Sequence, residues 1–395
     1  MKSVRFFGSC FMLLFFVILS AKGQSDSAIT AKGLQVSLLT CGTGAEIYSV
    51  FGHTAVRIVD SAKGTDIVYN YGTFDGYDEN FEMKFMQGKL LYYLSEDDYP
   101  DFIDFYGADG RWVNEQVLNI GETEKKQIQQ YLTINLMPEN RAYKYDFFFD
   151  NCATRIRDIF TQTHGDAFRY PNVLPEGKAL SFRDIINRYL AANVWERFGI
   201  NILLGSKIDK AMTNSQIMFL PDYLSDGVGG ATLNGKPYAA KAQQIVAGDK
   251  NVFHPDYSLQ LVLYSLLFVL ALGLFIPRLH LLGAFLANFM LIVTGLLGVL
   301  ILVMWFGTDH QACAGNFNLL WALPTNLMFV FRKRQYKYAL IALLLIFVAL
   351  ILHVAGIQQL LLPDMVPLLL MLVLIFATAY KKYKNVHDGK NPLTA

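Results

Sequence analysis

The sequence predicts an α+β exported domain followed by an all-α membrane bundle of about five helices. Two observations carry this expectation. The chain of 395 residues is 53% hydrophobic, and that content is unevenly placed. Up to about Phe253 it is mixed and polar, and from Tyr257 it is dominated by long apolar runs. Within the first part, alternating segments typical of strands are interleaved with helical periodicities. A formal charge of +1 gives no basic surface for nucleic acid.

The N-terminus has the three parts of a secretory signal: Lys2 and Arg5, the apolar run from Phe6 to Leu19, then small residues at Ala21 and Gly23. The expected divisions are a signal peptide over 1–23, an exported domain over 24–253, and a membrane domain over 254–395 with a cytoplasmic tail. Leu34 to Cys41 reads as a strand, and Gly42-Thr43-Gly44 as a turn. His53 opens a second strand whose β-branched alternation starts at Thr54. After the polar turn around Gly64, Ile67 to Tyr71 returns as a hairpin, which brings Asn70 near the His53 end of the neighbouring strand. Asn80 to Leu94 reads as a short helix, Trp112 to Ile120 as a strand, and Glu122 to Leu136 as an amphipathic helix. Ser181 opens a further helix, and Phe198 to Leu220 is apolar enough to lie on the core or on a membrane surface.

The segment from Tyr145 to Phe160 reads as an aromatic strand running into a helix, with Cys152 at the junction. Asp150 and Asn151 suit the N-cap and Gly165 the C-terminal stop. Cys152, Ile156, Ile159, Phe160 and Thr163 share one face. The first helical turn favours a thiolate, the form a cysteine nucleophile needs, although the same pattern fits a small buried core cysteine. A thiol nucleophile requires an imidazole. His164 is twelve positions along the same helix, about 18 Å from the thiol, and His254 lies in the juxtamembrane linker. His53 is the better-placed base. Three cysteines remain after signal removal (Cys41, Cys152 and Cys313), so a Cys41–Cys152 disulfide stays open at this point. Scattered acids and histidines show no ligand spacing, so no metal or soluble cofactor is expected.

Beyond Tyr257 the apolar runs cover roughly 257–277, 279–305, 316–331, 336–355 and 359–380. A span needs about 20 apolar residues, so four qualify and the third is short. Arg278, the Arg332–Lys337 cluster and Lys381, Lys382 and Lys384 fall on one side, while the loop carrying Thr308, Asp309 and His310 has no cation. The positive-inside rule then puts the C-terminus in the cytoplasm and the large domain outside. Asn316 and Asn318 in the third run are polar groups at the outer edge of a span, where they serve either as interhelical glue or as substrate-binding groups.

A histidine on an early strand followed by a later Asn-Cys at a helix start resembles the circularly permuted papain-like group, which includes lecithin:retinol acyltransferase relatives and some NlpC-type hydrolases. A narrower likeness lies in Leu38-Leu39-Thr40-Cys41, in Tyr48 to Arg57, in Tyr69 to Asp75 and in Phe148 to Thr154. With Asp309-His310 and Asn316 to Trp321 in the membrane part, these resemble the Lnb family of lipoprotein N-acyltransferases. The resemblance implies a Cys152 nucleophile and a His53 base. It also implies a phospholipid acyl donor, a diacylated lipoprotein acceptor, and residence in the inner membrane with the large domain periplasmic. Asn70 as orienting residue rests on hairpin geometry alone, and Asp309, His310, Asn316 and Asn318 are expected at the substrate rim. A papain-like cell-wall peptidase or amidase and a non-catalytic membrane assembly factor are the alternatives.

Overall fold

The structure, a computed structural model, describes residues 33–47, 49–177, 179–249, 256–331 and 336–389. The expected signal peptide, His254 and the Arg332–Arg334 cations lie outside the described residues.

The first half is built on a seven-stranded sheet in the order β10-β5-β1-β2-β3-β4-β6, with every neighbouring pair antiparallel. Its strands in chain order are β1 (Leu34–Cys41), β2 (His53–Asp60), β3 (Thr65–Phe74), β4 (Leu91–Asp98), β5 (Val113–Val117), β6 (Ala142–Lys144) and β10 (Gln243–Val246). Between them run α1 (Phe81–Met86), α2 (Tyr99–Ala108), α3 (Glu122–Leu136) and α4 (Cys152–His164). A small sheet of β7 (Phe168–Arg169), β8 (Thr232–Leu233) and β9 (Lys236–Pro237) is accompanied by α5 (Phe182–Tyr189), α6 (Val194–Leu203), α7 (Asn214–Ile217) and α8 (Pro221–Gly230).

The period of two along β2 sorts the core. Val56 and Ile58 join Val36 and Leu38 under Ile156, Ile159 and Phe160 of α4. Ala55 joins Leu39, Cys41 and Val68 on the other face, under Phe102 and Tyr106 of α2. The sheet is therefore covered on both sides. Its register also places Cys41 directly opposite His53.

Two expected elements differ. The stretch from Asn80 to Leu94 is not one helix: α1 ends at Met86, Gly88 turns at φ +67, and Leu91 onward is the strand β4. The aromatic residues Tyr145 to Phe149 form a turn rather than a strand, closed by the Asp150 N–H donating to the Asp146 carbonyl at 2.8 Å. Both segments are rich in aromatics, which pack equally well on a strand or a turn, so composition alone did not separate them.

The second half holds α9 (Ser258–Phe275), α10 (His280–Phe306), α11 (Asn326–Phe331), α12 (Tyr336–Val354) and α13 (Leu362–His387). Among the described residues, four helices are long and apolar enough to cross a membrane: α9, α10 with its preceding turn, α12 and α13. The third apolar run is a broken segment, with a 3-10 turn at Phe317–Leu320 and then the six-residue α11. It still packs along α10: a Cβ on Gly298 would meet the Ala322 carbonyl, and one on Gly295 would meet Leu327. The Asn326 amide donates to Thr294 Oγ1 of α10 at 3.0 Å. Pro324 and the asparagines explain the break, because they disfavour a continuous helix, and unwound backbone is tolerated at membrane depth only against protein.

Candidate active site

Cys152 is the first residue of α4, and its place is fixed by the residue before it. The Asn151 side chain accepts the Thr154 N–H at 2.9 Å, and Thr154 Oγ1 accepts the Asn151 N–H at 2.8 Å. The Asn151 amide also donates to the carbonyls of Phe147 and Phe219, at 2.9 and 2.8 Å. A capping box of this kind contributes about 1 kcal/mol to the helix, and here it also anchors the turn. Arg155 completes the anchor with a two-pronged bond to Asp150, its guanidinium 3.6 Å from the centre of the Tyr143 ring. The thiol is free, as are Cys41 and Cys313, so no disulfide removes it from chemistry.

His53 begins β2 after Gly52, whose φ of +78 and close approach to the Cys41 carbonyl (2.7 Å from an added Cβ) leave room for glycine alone. His53 Nε2 lies 3.1 Å from Asn70 Oδ1, and Asn70 Nδ2 donates to Asp97 Oδ2 at 2.6 Å. This chain of bonds sets the tautomer. The carboxylate accepts only, so it holds the amide with its oxygen toward the ring. That oxygen takes the Nε2 proton, which leaves Nδ1 as the basic nitrogen. The hairpin placed Asn70 as the sequence expected. Asp97 was not anticipated, because the helix read over Asn80 to Leu94 left no place for β4 and the residues after it were given no element.

The thiol meets the same strand. The N–H of Thr54, next to His53 in the chain, donates to the sulfur, as do those of Ala153 and Cys152 itself. Those amides hold the thiol down, but burial is stronger and pushes it up to about 11. Burial also pushes His53 down to about 4; the Asn70 bond opposes this and the Arg111 charge adds to it. The resting pair is therefore thiol and neutral imidazole. The expected preformed thiolate is corrected: a site 8% exposed at the cysteine desolvates the anion by more than three amides restore.

A cavity of about 300 Å³ opens at His53, lined by Asn70, Gly72, Asp97, Phe102, Phe105 and Tyr106 among others. Tyr106 bonds to the Cys41 thiol, which burial pushes up to about 12, so Cys41 is a quiet neighbour. Arg111 is buried against the Tyr106 ring, with its Nε donating to the Gly42 carbonyl at 2.8 Å. Sequence reading missed Tyr106 and Arg111, whose only signals were an aromatic and a cation in segments without a motif.

The remaining expected residues lie where the two halves meet. Asp309 pairs with Lys144 at 2.8 Å and donates its N–H to the Gln87 carbonyl at 2.8 Å. His310 Nε2 is 3.1 Å from the Phe85 carbonyl, and its charge acts on Asp146, in the turn that leads to Cys152. The loop after α10 thus lies beside the site. Asn316 and Asn318 are buried in the joint. The amide of Asn316 donates to the carbonyls of Ile202 and Leu203, and that of Asn318 to those of Asn201 and Ile202. They close the C-terminal end of α6, which has no intrahelical partners for those groups. Their amide donors face protein carbonyls, so both side chains join the two halves. Among the described residues no group of histidines, cysteines and acids is placed to hold a metal ion.

These features define a class: a multi-span membrane protein whose large α+β domain carries a buried cysteine at a helix start and, on the strand that the thiol meets, a histidine–asparagine–aspartate relay. Residues 22–174 match the model of the Lnb N-terminal periplasmic domain, and residues 248–385 match that of the Lnb transmembrane domain. The chain belongs to the Lnb family, as a membrane protein with a periplasmic domain and a transmembrane domain. No curated protein and no solved structure matches it.

Proposed function

We propose that the protein is a thiol acyltransferase of the inner membrane that moves a fatty acyl chain from a phospholipid to the N-terminal amine of diacylated lipoproteins. The observation that carries the reading is the relay of His53, Asn70 and Asp97, which leaves Nδ1 basic on the strand whose next residue, Thr54, gives its N–H to the cysteine at the start of α4. A buried structural cysteine needs no such relay. The order of strand histidine and later helix cysteine gives the site a circularly permuted papain-like character.

In the reaction Cys152 Sγ attacks the ester carbonyl as its proton passes to His53 Nδ1. Asn70 holds the imidazolium through Nε2. The tetrahedral intermediate collapses, the lysophospholipid alkoxide leaves with the proton from His53, and a thioester remains on Cys152. The lipoprotein α-amine then attacks the thioester, giving its proton to His53, which returns it to the departing thiolate. One ester bond and one N–H are exchanged for one amide and one O–H, and no water or cofactor takes part. Because donor and acceptor both have their tails in the bilayer, a bundle that ties its outer loop to α1 and to Lys144 suits this chemistry better than a soluble peptide substrate does.

The test is expression in a strain that makes only diacylated lipoproteins, followed by mass analysis of a lipoprotein N-terminal peptide. A gain of one fatty acyl group with wild type, absent with Cys152→Ala, is the expected result. No gain from folded wild type removes the reading and brings the cell-wall peptidase forward.

A further inference from the structure

The exported domain exposes a compact set of apolar side chains that its own core does not use. Phe74 is 40% exposed, and on α1 Met83, Phe85 and Met86 are 53%, 52% and 54% exposed. A patch of this kind on a folded domain marks a binding surface rather than a packing defect. Its rings form a continuous row. Phe85 and Phe81 are 6.2 Å apart at their centroids, Phe81 and Phe74 5.5 Å, Phe74 and Tyr92 5.4 Å, and Tyr92 and Tyr145 4.4 Å.

Both ends of the row are tied to places already described. At one end the Phe85 and Gln87 carbonyls bond to His310 and Asp309, which follow α10 directly. The last residue of α10, Phe306, is 72% exposed on the outside of the bundle. The row thus starts level with the outer end of a spanning helix, where aromatic side chains favour the membrane interface. At the other end the Tyr145 ring lies 3.6 Å from where a Cβ on Gly72 would stand, and Gly72 lines the cavity at His53. Tyr145 also opens the turn that delivers Cys152, and it is close enough for the thiolate charge to act on its phenol.

We infer that the row from Phe85 through Phe81, Phe74 and Tyr92 to Tyr145 is the track along which a phospholipid acyl chain passes sideways from the outer leaflet to the thiol, with α1 set into the interface as its entrance. The inference rests on the acyltransfer reading and adds the lipid site to it. The occupant is a bilayer lipid because the patch is continuous with the lipid-facing end of α10. A soluble partner would have no reason to meet it at that level.

The experiment uses the full chain carrying Cys152→Ala, in liposomes that contain a phospholipid with a diazirine at the end of one acyl chain. After illumination and digestion, label is expected on peptides holding Phe74, Phe81 or Tyr92, falling at least fivefold when Phe85→Asp is added. Label restricted to α9, α10, α12 and α13, with those peptides bare, overturns the track. A parallel transfer assay on wild type and Cys152→Ala keeps the two ideas apart. Labelled rings with transfer surviving Cys152→Ala would retain the lipid track and discard the thiol mechanism. Bare rings with transfer abolished would do the reverse.

Discussion

Replacing Asn70 with alanine tests the relay at its middle. The Asn70 oxygen, 3.1 Å from His53 Nε2, is the acceptor of the proton that fixes the tautomer. In the first transition state the ring becomes an imidazolium, so the bond turns from neutral to charge-assisted. A hydrogen bond to a charged group contributes about 1.5–3 kcal/mol. At about 1.4 kcal/mol for each tenfold in rate, acylation of Cys152 should slow by roughly 10- to 100-fold. Asp97 also loses its 2.6 Å donor, so the ring loses its orienting group as well. The assay is single-turnover thioester formation from liposomal phospholipid, quenched in acid and read by intact-protein mass, with thermal unfolding measured alongside. The pH profile separates a positioning role from simple damage. The Asn70 bond pulls His53 up against burial, so its loss should move the acidic limb of the rate further down from about 4. A loosened site that admits water would move it up toward the ordinary value. A rate within threefold of wild type in a folded variant would refute the relay.

Three further outcomes are expected. Burial holds His53 at about 4 against an ordinary 6.5, so the unfolded chain binds the extra proton between those values. Stability should therefore be full above pH 6.5 and fall by about 3 kcal/mol as pH drops through 4, and denaturant melts of His53→Gln should lack that slope. Iodoacetamide at pH 7.5 should modify Cys152 at least tenfold more slowly than a free cysteine, accelerating as pH approaches about 11, and equal rates would contradict the neutral resting pair. Asn318→Ala should destabilise the protein by about 1–3 kcal/mol, read as a lower melting temperature, since it leaves the buried Trp321 Nε1 proton without a partner and takes one of two donors from each of the Asn201 and Ile202 carbonyls. Asp309→Ala removes only an exposed pair with Lys144 and should leave the melting temperature close to that of wild type.

Local rules made part of this architecture legible in advance. Leu34–Cys41 and Glu122–Leu136 have the expected bounds because apolar spacing and a turn or charge signal coincide at each end. Cys152, Ile156, Ile159 and Phe160 are all buried on one face of α4, as a 3.6-residue period requires. His53 and Asn70 meet because a hairpin fixes neighbours within a short stretch of chain. Asp97 was hidden for the opposite reason. It reaches Asn70 only through β3–β4 pairing, and with Asn80 to Leu94 taken for helix and 95–98 given no element that pairing had no place. The thiol's protonation state was also beyond local reading: helix position gives the amides, but the desolvation that outweighs them comes from α4 lying against β2.

The joint between the two halves shows why the third apolar run is unwound. Its outer part must satisfy the end of α6 and also stay close to the site turn, and a regular helix would use its own carbonyls and amides internally. Extended backbone leaves them available. The Gly205 N–H donates to the Ala312 carbonyl at 2.8 Å and the Ser206 N–H to the Gly315 carbonyl at 3.1 Å. Gly205 has no Cβ to collide with the Ala314 carbonyl, so the two chains close to backbone contact. Gln358, at the far end of α12, reaches in to accept the Phe317 N–H at 2.7 Å. Arg183, fully buried with Asp209 at 2.7 Å, donates to the Leu204 and Gly205 carbonyls on the other side. A buried ion pair is a poor source of stability but a strict geometric device. Here it fixes the segment against which 312–318 docks, and that loop in turn sets Asp309 and His310 against α1. The position of the bundle is thus transmitted through bonds to main-chain carbonyls to the end of α1, as the proposed acyl transfer from a bilayer lipid would use.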